Sequence, residues 1–295
     1  MNLFARAENW RMFYRFNSIQ NKHFNFTAIM KHFVRFTLTI TFMVIFAVGA
    51  SAQKTINQIT KKGVIRIGMT GDQPPYCMED KEGNLIGFEV DIANLLAESM
   101  GIELDIVQMP FKDLMPSLEA GKIDAIMSGM TITLERNARA AFIGPYMLSG
   151  KSILTKESNI NAADETEELN QADLKLTALK GSTSEKFIEL FLPEATYIPS
   201  DTYDQAIEMI RNDEVKAMVG DYAMCIVNAM KYEKEGFVTL AEPLTLEPIG
   251  MALPANDPLF VNFMENYMNA LIMNGLFKDL EEYWFESGGW LIRLK

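Results

Sequence analysis

Ser128, Gly129, Thr131 and Arg136 follow one another closely in the stretch SGMTITLERNARAAFIGPY, and the chemistry open to that set is recognition of an anion. Short hydroxyl side chains and a glycine leave backbone N–H groups free to point at negative charge. A guanidinium can hold a carboxylate through two parallel hydrogen bonds, which fixes orientation as well as charge. The preceding apolar run, Ile123 to Met127, reads as a buried strand, and Thr133 leads into a short helical segment. The set therefore stands just beyond a strand end, where open α/β sheets bind their ligands. An arginine on a solvated helix has the same local sequence, so the stretch alone leaves both readings open.

A carboxylate of opposite sign occupies a similar place further on. Asp221 ends the apolar run Val215 to Val219, where an ionised group is costly unless it is solvated or paired. It is equally placed to cap a helix over Tyr222 to Tyr232. Lys180-Gly181-Ser182-Thr183-Ser184 is a third strand-end loop, after Leu176 to Leu179, and it also fits simple capping of the helix around Phe187 and Ile188. It lacks the spacing of a phosphate-binding P-loop.

The elements that must position these residues alternate. A strand at Val64 to Ile67 and a turn-rich loop at Thr70 to Tyr76 precede a hairpin-type turn at Gly83-Asn84. Gly87 introduces a helix with Ile92, Leu95, Leu96 and Met100 at helical spacing, stopped by Gly101. A strand over Leu104 to Val107 and a helix from Phe111 containing Leu114, Met115 and Leu118 follow. Such alternation predicts an α/β protein with a parallel sheet covered on both faces. The unit FKDLMPSLEAGKIDAIMSG, Phe111 to Gly129, then returns ungapped as YDQAIEMIRNDEVKAMVGD, Tyr203 to Asp221. Phe111 aligns with Tyr203, Ala125 with Ala217 and Gly129 with Asp221, so two similar lobes would face equivalent strand ends across a cleft. Asp257-Pro258 predicts a helix start and Gly275 its stop, with Phe260, Phe263, Met264, Tyr267 and Leu271 as the buried stripe.

The 295-residue chain is 48% hydrophobic and 22% charged, long enough for two compact lobes. Residues 30–52 read as a secretory signal: Lys31 and Arg35 are basic, Phe36 to Val48 is apolar, and Ala50-Ser51-Ala52 is a cleavage site that leaves Gln53 first. The apolar run is shorter than the about 20 residues a membrane span requires. Residues 1–29 read as an upstream extension, with Met30 as the initiator. Both histidines, His23 and His32, fall before Gln53, which removes imidazole catalysis and His metal sites from the processed chain. Beyond that point 21 basic residues face 38 acidic ones, a formal charge of −17 that repels nucleic-acid phosphates and anionic lipid. Cys77 and Cys225 lack any CxxC spacing and read as small core residues, so no metal and no cofactor is expected. The acidic run Asp164 to Glu168 reads as a solvated face.

GFEVDIANLLAESM, Gly87 to Met100, resembles the signature of the bacterial extracellular solute-binding proteins of family 3, which serve polar amino-acid ABC importers. The resemblance runs from Lys54 to about Trp284. It implies a two-lobed, type II periplasmic-binding-protein fold, each lobe a mixed, mostly parallel sheet flanked by helices, with two hinge strands near Ser149 to Ser152 and Pro243 to Gly250. Lobe 1 is then residues 53–150 with 246–295, and lobe 2 is 151–245. By the same resemblance Arg136 with Ser128, Gly129 and Thr131 is the α-carboxylate clamp, Asp221 the α-ammonium partner, Thr183 a carboxylate contact from the second lobe, and Phe111 and Tyr76 the flanking aromatics. The sequence departs at Gln73, where many relatives place an aromatic residue over the ligand. The implied function is capture of a small amino acid in the periplasm and delivery to ABC permease subunits, by a monomer without enzymatic activity. Cys77 and Cys225 would lie in different lobes, where a disulfide would block opening, so two free thiols are expected.

An enzyme reading stands beside it. TGD at Thr70 to Asp72, MSGMTITLER and GSTSEKF at Gly181 to Phe187 resemble segments of cyclohexadienyl (prephenate/arogenate) dehydratases. Those enzymes place a general-acid glutamate three residues after the position of Asp221. Met224 stands there, and a thioether delivers no proton.

Overall fold

The computed structural model describes residues 54–161 and 166–294. The expected extension, signal sequence and both histidines lie outside the described residues, as do Asp164 and Glu165 of the acidic run. In chain order the strands are β1 (Val64–Met69), β2 (Asp72–Gln73), β3 (Cys77–Glu79), β4 (Leu85–Ile86), β5 (Glu103–Gln108), β6 (Ala125–Ile126) and β7 (Ala140–Ser149). They continue as β8 (Lys151–Thr155), β9 (Lys175–Leu179), β10 (Thr196–Ser200), β11 (Ala217–Asp221), β12 (Val238–Thr239) and β13 (Glu247–Pro254).

Two five-stranded sheets result, ordered β5-β1-β6-β13-β7 and β10-β9-β11-β8-β12. In each, the first three strands run parallel and the fourth runs antiparallel to both of its neighbours. The orders superimpose: β1, helix Phe88–Met100, β5, helix Phe111–Glu119, β6 in one sheet; β9, helix Thr183–Phe191, β10, helix Tyr203–Arg211, β11 in the other. The internal repeat expected from sequence is thus a repeat of structure. Its helices begin at Phe111 and Tyr203, end at Glu119 and Arg211, and its strands open at Ala125 and Ala217.

The chain passes from the first sheet to the second between Ser149 and Lys151, and returns between Thr239 and Glu247. At Gly150 the two passages touch: a Cβ there would stand 1.9 Å from the Thr245 carbonyl oxygen, so only glycine allows the approach. The antiparallel β13 and β7 carry the return deep into the first sheet, where the helix Pro258–Met273 packs. That helix begins as its sequence predicts, with Pro258 in its first turn and the Asp257 carboxylate accepting the Phe260 amide at 3.0 Å, a cap of about 1 kcal/mol. Of the expected stripe, Phe260, Met264 and Leu271 are buried.

One expectation shrinks. The buried run Ile123 to Met127 forms ladder pairs only at Ala125 and Ile126, because the Asp124 carboxylate is drawn to Arg66 and the chain turns at Ser128. Cys77 and Cys225 are buried free thiols, pushed up in pKa by that burial.

Candidate functional site

The strand-end loops of the two sheets meet, and a continuous line of polar contacts crosses between them. At one end, Arg136 donates Nη1–H to the Thr131 carbonyl at 2.9 Å and Nη2–H to the Gly181 carbonyl at 3.0 Å. Its guanidinium lies 5.3 Å from the centre of the Phe111 ring, a cation–π distance. Burial pulls the guanidinium below its ordinary pKa, opposed by the charges of Asp221 and Glu247. Thr133 caps this turn by accepting the Arg136 amide.

From Thr131 the line passes to Glu247. Its Oε2 accepts the Thr131 hydroxyl at 2.8 Å, the Thr183 hydroxyl at 2.9 Å and the Lys151 ammonium at 3.0 Å. Burial pushes the Glu247 carboxyl up, but the Lys151 charge and these donors outweigh it, and the group ends below its ordinary range. Lys151, with 1% of its side chain exposed, also reaches Asp221 Oδ1 at 2.7 Å. Gln73 closes the line by donating to Asp221 Oδ2 at 3.0 Å. Asp221 is therefore the first residue before the helix Tyr222–Lys231 without capping it: its side chain accepts from Lys151 and Gln73 instead.

Gly129 is held differently. Its backbone, at φ 54°, donates N–H to Glu89 Oε2 at 2.8 Å, and the Gln73 amide lies so close that a Cβ would stand 2.3 Å from it. Glu89 also accepts the Tyr146 hydroxyl. Burial raises this carboxyl to about 7, against those two donors, with Asp221 adding to the rise. Further contacts tie the two sheets' loops: Asp72 accepts the Tyr203 amide at 2.7 Å, and Lys112 meets Asp201 at 2.6 Å. A cavity of about 310 Å³ opens beside Arg136, walled by Phe111, Met115, Met130, Gly181 and Thr183.

Of the residues expected from sequence, Arg136, Thr131, Gly129, Phe111, Thr183 and Asp221 converge on this line. Ser128 is buried but its hydroxyl is engaged by Thr70, accepting the amide at 3.1 Å and lying 3.3 Å from the Thr70 hydroxyl. Tyr76 is fully buried, with its ring edge-on to Phe285 at 5.4 Å, and walls a different cavity. Sequence reading missed Lys151, Glu247 and Glu89, and saw Gln73 only as a departure. The signal was there for two of them. Lys151 follows Gly150 at the head of an apolar strand and Glu247 precedes Pro248-Ile249-Gly250, both charges inside the expected crossings.

Two similar α/β halves joined by two crossings, with polar strand-end loops meeting between them, define the class of two-lobed binding proteins, and the architecture is the type II periplasmic-binding-protein fold. The sequence profile of the bacterial extracellular solute-binding proteins, family 3, matches residues 65–287, and the chain belongs to that family. It is similar to cyclohexadienyl dehydratase of Pseudomonas aeruginosa, 27% identical over 79% of this chain and 87% of that one. It is likewise similar to ABC transporter arginine-binding protein 1 of Escherichia coli, at 26% over 81% and 94%. Among solved structures, an ancestral amino acid-binding protein, a precursor of cyclohexadienyl dehydratase, is 33% identical over 79% of this chain and all of its own, with a TM-score of 0.72. A putative ABC transporter binding component from Wolinella succinogenes, complexed with lysine, is 31% identical over 78% and 99%, at 0.73. Among the described residues no helix is long and apolar enough to cross a membrane, and no group of three or more potential metal ligands occurs.

Proposed function

We propose that this protein captures a small amino acid between two lobes, residues 53–150 with 246–295 and residues 151–245, and delivers it as a periplasmic monomer to the permease subunits of an ABC importer. The carrying observation is the line from Arg136 to Asp221, which puts a guanidinium and a carboxylate at opposite ends of one hydrogen-bonded path, partly buried at Arg136 and fully buried at Asp221. A zwitterion is complementary to those two ends. Its carboxylate takes the Arg136 N–H groups in place of the Thr131 and Gly181 carbonyls, joined by Thr131, Thr183 and the Gly129 loop with Ser128. Its ammonium joins Lys151 at Asp221, and Glu247 keeps Lys151 neutralised. Phe111 walls the cavity beside Arg136, and Tyr76 braces the loop that carries Gln73. Closure follows because the ligand interacts with both lobes only when they meet. The names of the arginine-binding and lysine-bound relatives support an amino acid as cargo.

The dehydratase among the relatives supports a second reading, an enzyme acting on prephenate or arogenate. Met224 weighs against it: the side chain is fully buried and its sulfur accepts from the Asn228 amide at 3.0 Å, so no proton donor stands where that chemistry requires one. We therefore read the protein as a non-enzymatic carrier. A thermal-shift panel over the common amino acids, with prephenate and arogenate included, tests both. A ligand bound only by the folded state stabilises it by about 2.7 kcal/mol at a hundredfold excess over its Kd. An amino acid producing such a shift supports the carrier; no shift from any of them, or release of aromatic product, overturns it.

A further inference from the structure

The charges where the two lobes meet can be counted, and the count bears on which amino acid fits, on the reading of the protein as an amino-acid carrier. Lys151 faces two carboxylates, Asp221 at 2.7 Å and Glu247 at 3.0 Å. That trio carries one negative charge more than it neutralises. Among the described residues Arg136 forms no ion pair, since its guanidinium donates to the Thr131 and Gly181 carbonyls, so one positive charge is left at the other end. The ammonium and carboxylate of a zwitterion match these two charges one for one. We infer that the cleft takes an amino acid whose side chain is uncharged or acidic and excludes arginine and lysine, and that Lys151 sets this selectivity.

A second cation on the ligand would need a carboxylate of its own, and those of the cleft are committed. Glu247 Oε2 accepts from Thr131, Thr183 and Lys151, and its Oε1 lies 3.4 Å from the Thr245 hydroxyl. Asp221 accepts from Lys151 and Gln73, and its remaining charge goes to the α-ammonium. Glu89 accepts the Gly129 amide and the Tyr146 hydroxyl, and Asp72 accepts the Tyr203 amide. The cavity beside Arg136 is no better for a cation: Lys112, Arg136, Arg139 and Lys186 line it against Glu135, which is already paired with Lys186. A charge taken out of water without a partner is costly, a cost that an uncharged side chain avoids. An acidic side chain in that cavity would meet cations instead. Gln73 adds a neutral acceptor. Asp221 can only accept, which fixes Gln73 Nε2 as the donor between them, and Gln73 Oε1 is buried without a partner. An N–H of the ligand would satisfy that oxygen, as buried acceptors generally are satisfied. Without Lys151 the trio would carry two negative charges, the complement of a ligand with two cations.

Calorimetry of the unaltered protein against the uncharged amino acids, citrulline, aspartate, glutamate, arginine and lysine reads the selectivity without any variant. Titration at pH 6 keeps Glu89, raised by burial to about 7, mostly neutral. The tightest ligand should be uncharged or acidic, with arginine and lysine at least about tenfold weaker. Arginine or lysine binding within tenfold of that ligand overturns the inference and leaves the carrier standing, whereas binding of no amino acid overturns both. Lys151→Met, with folding checked by circular dichroism, separates charge from size. It should shift affinity toward arginine and lysine, relative to the tightest uncharged amino acid, by at least about tenfold. The double variant Lys151→Met/Glu247→Gln restores the charge count and relieves the facing carboxylates, so it should return the ratio to that of the unaltered protein. A ratio unchanged in Lys151→Met, or still shifted in the double variant, overturns the role of Lys151.

Discussion

The units Phe111 to Gly129 and Tyr203 to Asp221 have the same helix, the same turn and the same sheet position, yet they end in opposite chemistry. The first ends in a glycine whose amide is held by a buried carboxylate, Glu89, and which leads to the donors of Thr131 and Arg136. The second ends in a carboxylate held by a buried ammonium, Lys151. One scaffold read twice thus presents donors from one side and an acceptor from the other: a glycine turn leading to Thr131 and Arg136 after β6, and Asp221 as the last residue of β11. The holders differ in cost. Lys151 is paired on both sides by Asp221 and Glu247, whereas Glu89 has two neutral donors and no cation, and its pKa rises to about 7 accordingly.

Removing either end should have the largest effect. Truncating one partner of a desolvated charge pair costs about 2–5 kcal/mol, so Arg136→Ala should weaken the amino acid found in the panel by roughly 30-fold to several thousand-fold. Asp221→Ala should do the same and reduce compaction on binding. Calorimetry with small-angle scattering measures both, and near-native affinity in either variant breaks the two-ended comparison.

The holder of the acceptor end acts on folding stability rather than on affinity. Lys151→Met leaves Asp221 and Glu247 facing one another without a cation, a loss of about 3–5 kcal/mol in folding stability at pH 7. The deficit should shrink toward acid, where loss of the Glu247 charge relieves the repulsion. Urea denaturation across pH checks it; a variant with an unchanged midpoint would mean that the ammonium contributes nothing to the acceptor end.

The smallest effect belongs to the holder of the donor end. Glu89 has an ordinary pKa of 4.5 and a folded value of about 7, so the folded state keeps a proton that the unfolded chain releases between those values. The stability it contributes is fully present below 4.5 and is lost as pH rises through 7, about 3 kcal/mol in all. Glu89→Gln stays neutral throughout. Its stability relative to the unaltered protein should therefore improve from pH 5 to pH 8, and parallel pH profiles of the two would show that Glu89 does not titrate in this window.

Much of the framework was legible from local signals. Gly101 after a periodic apolar run, Asp257-Pro258 before another, and the ungapped register of Phe111 with Tyr203 each rest on contacts within a few turns of chain. Arg136, Thr131, Thr183 and Asp221 were legible because they stand just after apolar strands. Tyr76 could not be oriented from sequence: its position beside the turn-rich loop says nothing about which way the ring faces, and in the fold the ring packs edge-on to Phe285 while burial, with the charges of Asp221 and Glu89, pushes its hydroxyl pKa up. Glu89 was hidden inside a helix signature, where an acidic first-turn residue is ordinary.

What the sequence determined by itself was the order of elements, the doubling of one unit and the sign of charge at each strand end, since these depend on periodicity and on neighbours in the chain. Only the tertiary structure decided which charges are paired. Lys151, Asp221 and Glu247 are separated by dozens of residues, and their mutual distances depend on Gly150 letting the two crossings touch and on β8 lying beside β11. A buried ion pair is a property of that three-dimensional approach, because burial removes the water that would otherwise serve each charge alone.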